Sequence, residues 1–274
     1  MAESIQETVD VLITFRSYIE SLLASPDSGE LFATVKTLWE WLEASDEVQK
    51  SFIEEAVLSK AVDAEPFRLA QRRYEQHNEQ ISAQKLLSSS NSTSLYKRLR
   101  HSDRFLRATY DNVADEIALL PSFAPTSITM VGCGAYPNSL LHLAELLPNI
   151  PIVGIDASPD AVALAQSVIS YAGAKQVKVI SSLGEEYDFR MSQLVLVGNV
   201  IRRKQAVLQR VLKTGGKGIK VLTRVPWSAG ILCFEDLEVR LESDSPQWYP
   251  VAATSGNIHL LCRTLLLQPA FEPV

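Results

Sequence analysis

The sequence predicts an α/β protein in which an all-helical amino-terminal region precedes a parallel sheet covered by helices on both faces. Three observations carry this. Apolar residues recur at helical spacing up to about Leu87, and from Ile128 onward short apolar runs alternate with helical segments. The first of those runs ends in two glycines one residue apart, Gly132 and Gly134, and the second ends in Asp156.

In the helical part, Ile5, Val9, Leu12, Phe15, Ile19 and Leu22 form one amphipathic stripe, which Ser25-Pro-Asp-Ser-Gly29 breaks. Leu31, Val35, Leu38, Trp39 and Leu42 predict a second helix, and Val48, Phe52, Ile53 and Val57 a third that starts near Ser45-Asp-Glu. Glu65-Pro-Phe opens a fourth, with proline where the first turn tolerates it, running through Arg72, Glu75 and Glu79 toward Leu87. Ser88 to Ser94 is a polar insert expected to form a mobile loop. Tyr96, Leu99, Phe105, Tyr110, Val113 and Ile117 predict one or two helices leading directly into the strand at Ile128.

Beyond Val131 the expected order is helix (139–147), strand (152–155), helix (159–172), strand (177–180) and strand (194–197). A helix over 205–212, a Gly215-Gly216 turn, a strand over 218–222 and two late apolar runs, 237–241 and 258–267, complete the chain. The predicted division is a helical domain over 1–120 and a sheet domain over 121–274.

A hydrophobic share of 46% with 21% charged residues is that of a soluble globular chain, and no apolar run reaches membrane-spanning length. The net charge of −6 leaves no basic surplus to neutralise phosphates, which argues against a nucleic-acid partner. Three well-separated cysteines, Cys133, Cys233 and Cys262, suit a reducing compartment, and the first residues lack the order of a signal peptide, so a cytoplasmic protein is expected. His77, His101, His142 and His259 form no metal pattern, and no metal is expected; His142 reads as packing.

The glycines allow a tight turn and a bare backbone that a ligand can approach at the strand's carboxyl end. Asp156 follows at the tip of the next strand, about twenty residues on, where a ribose hydroxyl pair is usually held. Together they point to a nucleotide-type ligand.

The Gly215-Gly216 turn before a strand, with two closely spaced strands at the end, resembles the hairpin-finished, Rossmann-like sheet of class I S-adenosylmethionine-dependent transferases. A narrower resemblance is to nicotianamine synthase and its bacterial relatives that build opine-type metallophores. Val131-Gly-Cys-Gly-Ala-Tyr-Pro-Asn-Ser139 resembles that family's Gly-Ser-Gly-Pro-Leu-Pro-x-Ser loop, with Ala135 in place of the first proline and Tyr136 before Pro137. Tyr74 to Ala83 resembles the helix that carries an active-site glutamate, and Arg107 to Glu116 the segment that carries an active-site tyrosine. Leu222-Thr-Arg224 resembles a strand ending in arginine, and Trp248-Tyr-Pro250 with Asn257 to Arg263 the final strands.

The resemblance implies S-adenosylmethionine as co-substrate and transfer of its 3-amino-3-carboxypropyl arm to the amine of a small amino-acid acceptor, with release of methylthioadenosine. Histidine is the acceptor that the bacterial members suggest. It implies a cofactor site at Gly132, Cys133, Gly134, Pro137, Asp156, Ala157, Gly198 and Asn199, and substrate contacts from Arg224 and Tyr249. It also implies catalytic roles for Tyr110 and for Glu79, or Glu75 one turn earlier, because the attacking amine must lose a proton to a positioned group. The helical domain would cap the substrate, and a homodimer is compatible with the reading.

Plainer readings stand beside these. Glu79 is also what a solvated helix face looks like, Tyr110 an amphipathic core residue, Arg224 the partner of a local acid and Cys133 a small filler. For the whole chain the alternatives are a small-molecule methyltransferase on the same fold and a non-catalytic nucleotide-binding interaction protein.

Overall fold

A computed structural model describes residues 4–25, 28–89, 104–237, 248–257 and 259–270. Ser90 to Ser94 of the polar insert, Tyr96, Leu99, His101, Ile258 and most of the 237–241 run lie outside the described residues. The chain divides into two compact units, Met1–Asn78 with Pro226–Asp236, and Glu79–Val225 with Leu237–Val274.

The first unit is built from α1 (Ile5–Leu23), α2 (Gly29–Ala44), α3 (Glu47–Leu58), the first part of α4 (Glu65–Leu87) and a 3-10 turn over Ser228–Leu232. Ser4 and Asp46 each cap a helix by accepting the amide three residues on, at 3.3 and 2.8 Å. Leu12, Ile19, Leu31, Leu38, Leu42, Ile53 and Phe67 are fully buried. Helix α3 departs from its expected stripe, because Val48 is 62% exposed and Gln49, Lys50, Ile53 and Ala56 face inward. Lys50 can do this by burying its alkyl stem while its ammonium meets Glu47 at 2.8 Å.

A short polar chain crosses this unit. Gln71 Nε2 donates to Glu75 at 2.7 Å, and Gln71 Oε1 accepts from the indole of Trp39. Burial pushes the Glu75 carboxyl up from its ordinary 4.5 to about 7, against the opposing pull of the Gln71 bond. Burial, and then the neighbouring Glu75 carboxylate, push the Cys233 thiol up to about 12.

The second unit holds a seven-stranded sheet in the order β3-β2-β1-β4-β5-β7-β6. Its strands are β1 (Ile128–Val131), β2 (Ile152–Asp156), β3 (Val177–Ser181), β4 (Leu194–Val197), β5 (Lys220–Pro226), β6 (Trp248–Ala253) and β7 (Cys262–Pro269). The first five pair in parallel, and β6 and β7 are antiparallel. The first strand of the closing pair is Trp248–Ala253, which begins at the Trp248-Tyr-Pro250 segment that the family resemblance assigned to the final strands. Likewise β5 starts two residues later than expected and runs on through Arg224.

The helices are α5 (Arg104–Ala118), α6 (Asn138–Leu146), α7 (Pro159–Ala172) and α8 (Lys204–Thr214). One core joins Ala83 and Leu86 of α4, Val113 of α5, Leu140 and Leu143 of α6 and Val162 and Ala165 of α7 to Ile128, Ile152 and Leu222. Another joins Val207, Leu208 and Val211 of α8 and Phe189 to Val131, Ile155, Val195 and Val221. The first core accounts for a division of the chain between residues 78 and 79 rather than at 120: Ala83 and Leu86 at the end of α4 and Val113 of α5 are buried with the sheet. Strand β1 pairs with β2 on one side and β4 on the other, so the order reverses there and a crevice opens at their carboxyl ends. Among the described residues, no helix is long and apolar enough to cross a membrane.

Glu75 gives the helical unit a pH signature. Its value rises on folding, so its contribution to stability is complete below about pH 4.5 and is lost as the pH climbs through about 7. The slope in that window is at most about 1.4 kcal/mol per pH unit. Glu75→Gln should flatten it and leave the variant more stable than the wild type above neutrality. Urea unfolding followed by tryptophan fluorescence checks this, and parallel pH profiles for the two proteins would refute it.

Candidate active site

The site grows from the turn after β1. Gly132 and Gly134 have φ of +77° and +67°, a region that side-chain-bearing residues rarely adopt. The amides of Gly132 and Cys133 both donate to the Ile155 carbonyl, at 2.8 and 3.2 Å, so the turn is anchored on the end of β2. The next two amides are taken by carboxylates. Gly134 N–H donates to Asp156 Oδ2 at 2.9 Å, and Ala135 N–H donates to Glu79 Oε2 at 2.9 Å. A Cβ at Gly134 would lie 2.1 Å from that Glu79 oxygen, so a side chain here would displace the Glu79 carboxylate as well as strain the backbone.

Asp156 is held in turn. Its Oδ1 accepts the Ser158 amide at 3.0 Å, and Ser158 caps α7 by accepting from Ala161 N–H at 3.2 Å, with Pro159 following. Each Asp156 oxygen thus spends one lone pair on the protein and keeps another for a ligand hydroxyl. Ala157, next to it, is exposed.

Gly198 packs against the end of β1: its amide donates to the Val131 carbonyl at 3.1 Å, and a Cβ there would meet the Val131 and Gly132 oxygens at 3.2 and 3.3 Å. Pro137 has φ −76° and ψ 59°, the centre of an inverse γ-turn closed by Asn138 N–H to the Tyr136 carbonyl at 2.7 Å. The Cys133 side chain turns toward Gly154 of β2, where an added Cβ would lie 3.2 Å from its sulfur. Burial, followed by the charges of Asp156 and Glu79, raises its thiol well above the ordinary range, so it stays protonated.

Tyr110 of α5 packs edge-on to His142 of α6, with ring centroids 4.9 Å apart and planes at 89°. Glu79 and Tyr110 thus flank one continuous segment, Glu79 at Ala135 and Tyr110 two turns further on. Glu75, the other carboxylate considered on α4, is engaged by Gln71 in the helical unit.

Arg224 is committed to a partner. Its Nε and Nη2 grip Glu116 at 2.7 and 3.0 Å, and Glu116, fully buried, also accepts from Asn112 at 2.8 Å and Thr264 at 2.7 Å. Burial alone would lower the Arg224 value, but the Glu116 carboxylate outweighs it and keeps the guanidinium charged. Lys204, itself buried, donates to the Arg224 carbonyl at 2.8 Å. The substrate-contact role expected of Arg224 is thus preceded by a structural one. Tyr249 is not brought to the turn: it is 42% exposed on β6, the edge strand, paired with Gln268.

Three buried polar groups near the carboxyl ends of the central strands have unmatched atoms among the described residues. They are both amide atoms of Asn138, Oδ1 of Asn199 and the hydroxyl of Thr223. Sequence reasoning did not find Asn138 or Thr223, since nothing in their spacing sets them apart. Native interiors leave few such atoms unmatched; here Asn138 follows β1, Asn199 follows β4, and Thr223 lies on β5 beside Val197 of β4. Among the described residues, no three His, Cys, Asp or Glu side chains gather as a metal site would require.

A doubly wound sheet closed by an antiparallel pair, with a glycine turn after β1 and an acid at the end of β2, defines the Rossmann-like fold of the class I transferases. Among solved structures, the chain is similar to nicotianamine synthase MtNAS in two complexes. One is a glutamate-to-glutamine mutant of MtNAS in complex with S-adenosylmethionine, and the other is MtNAS in complex with MTA and tNA. Each superposes with a TM-score of 0.76 at 16% identity, covering 95% of this chain and 97% of that one. At that identity the likeness is one of fold, and it spans both the helical and the sheet parts. No family model matches the chain, and none of the curated proteins does.

The Glu116 network predicts a large stability effect. Glu116→Ala leaves the guanidinium of Arg224 buried without its counter-charge and should lower unfolding free energy by about 3–5 kcal/mol. Urea denaturation measures this; a loss under about 1 kcal/mol would place the pair among weakly coupled surface contacts.

Proposed function

We propose that this protein is an S-adenosylmethionine-dependent transferase that moves the 3-amino-3-carboxypropyl arm onto the amine of an amino acid and releases methylthioadenosine. Histidine is the acceptor we favour, in the assembly of an opine-type metallophore. The observation that carries the reading is the pair of carboxylates on consecutive amides of the glycine turn. One, Asp156, comes from the strand end where a nucleoside is held. The other, Glu79, is delivered by a helix that precedes the sheet. A nucleotide site alone needs the first; the second adds a proton acceptor. The fold shared with MtNAS, which is seen with S-adenosylmethionine and with MTA, supports the same reading.

When bound, the sulfonium supplies an electrophilic carbon and a thioether leaving group. The protein's part is placement and proton transfer. Asp156 accepts from the ribose hydroxyls with the lone pairs left after Gly134 and Ser158 are served. Glu79 takes the proton that the acceptor amine sheds as its nitrogen forms the new bond to carbon, while the electron pair of the broken carbon–sulfur bond stays on sulfur. Tyr110 orients the amine, its own ring held edge-on by His142.

Incubation with S-adenosylmethionine and an amino-acid panel, followed by mass analysis, tests the reading. Methylthioadenosine and an acceptor carrying the aminobutyrate arm are expected; S-adenosylhomocysteine and a methylated acceptor would identify a methyltransferase instead. Glu79→Gln should lower turnover by roughly 10²–10⁴-fold, the usual worth of a positioned base, with S-adenosylmethionine affinity largely retained. Asp156→Ala should do the reverse, weakening that affinity by about 1–3 kcal/mol in calorimetric titration.

A further inference from the structure

Asn138 is the first residue of α6, four residues beyond Gly134. It is 7% exposed, and neither its Nδ2 nor its Oδ1 has a hydrogen-bond partner among the described residues. Leaving a buried polar group unmatched is destabilising, and here a donor and an acceptor on one amide are both unmatched among the described residues. A leucine of similar volume would avoid that penalty.

Pro137 occupies the cap position and has no side-chain oxygen, so no side chain caps α6. The first turn of a helix presents amides and the positive end of the backbone dipole, which favour an anion. One turn further on, on the same side of the helix, His142 meets Tyr110. Asn138 therefore stands between the amides that Asp156 and Glu79 hold and the turn that carries the Tyr110 contact.

We propose that Asn138, with the first turn of α6, which no side chain caps, recognises the zwitterionic end of an α-amino acid. The amide Nδ2 and the helix terminus take the carboxylate, and Oδ1 accepts from the ammonium. A side chain with one donor face and one acceptor face matches a ligand that carries an acceptor and a donor on the same carbon. Two molecules offer that chemistry: the methionyl arm of S-adenosylmethionine and the free amino-acid acceptor. The first is the donor and the second the acceptor of the function proposed above, on which both assignments rest.

Calorimetric titrations of the full chain separate them. The probes are S-adenosylmethionine, methylthioadenosine, which has the same nucleoside without the amino-acid end, and L-histidine. The proteins are the wild type, Asn138→Leu and, should that variant not fold, Asn138→Ser. The methionyl arm is the ligand if the variant binds S-adenosylmethionine about tenfold more weakly while methylthioadenosine shifts by less than about twofold. An about tenfold loss confined to L-histidine assigns the acceptor instead. Unchanged affinity for all three probes, or an equal loss for both nucleosides with L-histidine unaffected, overturns the proposal and leaves Asn138 a structural residue. If the wild type binds neither nucleoside, the function proposed above fails. The L-histidine titration then decides this proposal alone: an about tenfold loss supports it, and no loss or no binding overturns it.

Discussion

Two carboxylates on adjacent backbone amides set the shape of this protein's central turn. Asp156 and Glu79 approach Gly134 and Ala135 from different elements, one from the end of β2 and the other from α4. Buried amides need acceptors, and an ionised carboxylate is among the strongest on offer. Bringing two like charges to one turn is unfavourable unless each is met by such donors, which is how the turn is built. Gly134 suits it twice over: its φ of +67° is one that side-chain-bearing residues rarely adopt, and a Cβ there would push the Glu79 carboxylate off the Ala135 amide. The turn, α4 and β2 therefore have to be in place together.

A second constraint lies under the site. Glu116 gathers Arg224, Asn112 and Thr264, from β5, α5 and β7, onto one buried carboxylate. A buried ion pair adds little net stability over an apolar substitute, but breaking it is expensive, so it acts mainly to specify one arrangement of those three elements. Strand β5 runs three residues past its last pairing with β4, and Lys204 holds that overhang through the Arg224 carbonyl. A rigid network of this kind would serve the transfer proposed above, in which misplacement by about an ångström can redirect or slow the chemistry.

Much of the local architecture was legible in the chain. Helices α1 and α7 end where the spacing puts them, since each has its own punctuation: Ser4 and Ser158 as caps, Pro159 at the first turn and Gly173 in a left-handed conformation at the close. Strand β4, Leu194–Val197, is a continuous apolar run buried at every position, as a strand covered on both faces requires. The glycine turn and Asp156 are separated by only 22 residues and are linked by one strand–helix–strand passage, so their meeting follows from the crossover unit itself. Helix α3 misleads because Val48 is an apolar residue on the outward face, and periodicity cannot tell which of two plausible stripes a neighbour will cover.

What the sequence alone determined, then, is the order of elements along the chain, and the nucleotide-type turn and the acid at the second strand end, which lie within about thirty residues of each other. The tertiary structure alone decided that Glu79 meets the turn across 56 residues, that Arg224 pairs with Glu116 across 108, that Tyr249 stays on the edge strand, and that Asn138 is buried with both amide atoms unmatched. The reason is physical. A hydrophobic pattern states which face of an element must leave water, whereas the partner of a polar side chain is fixed only when separate elements are packed and its alternatives in solvent are removed.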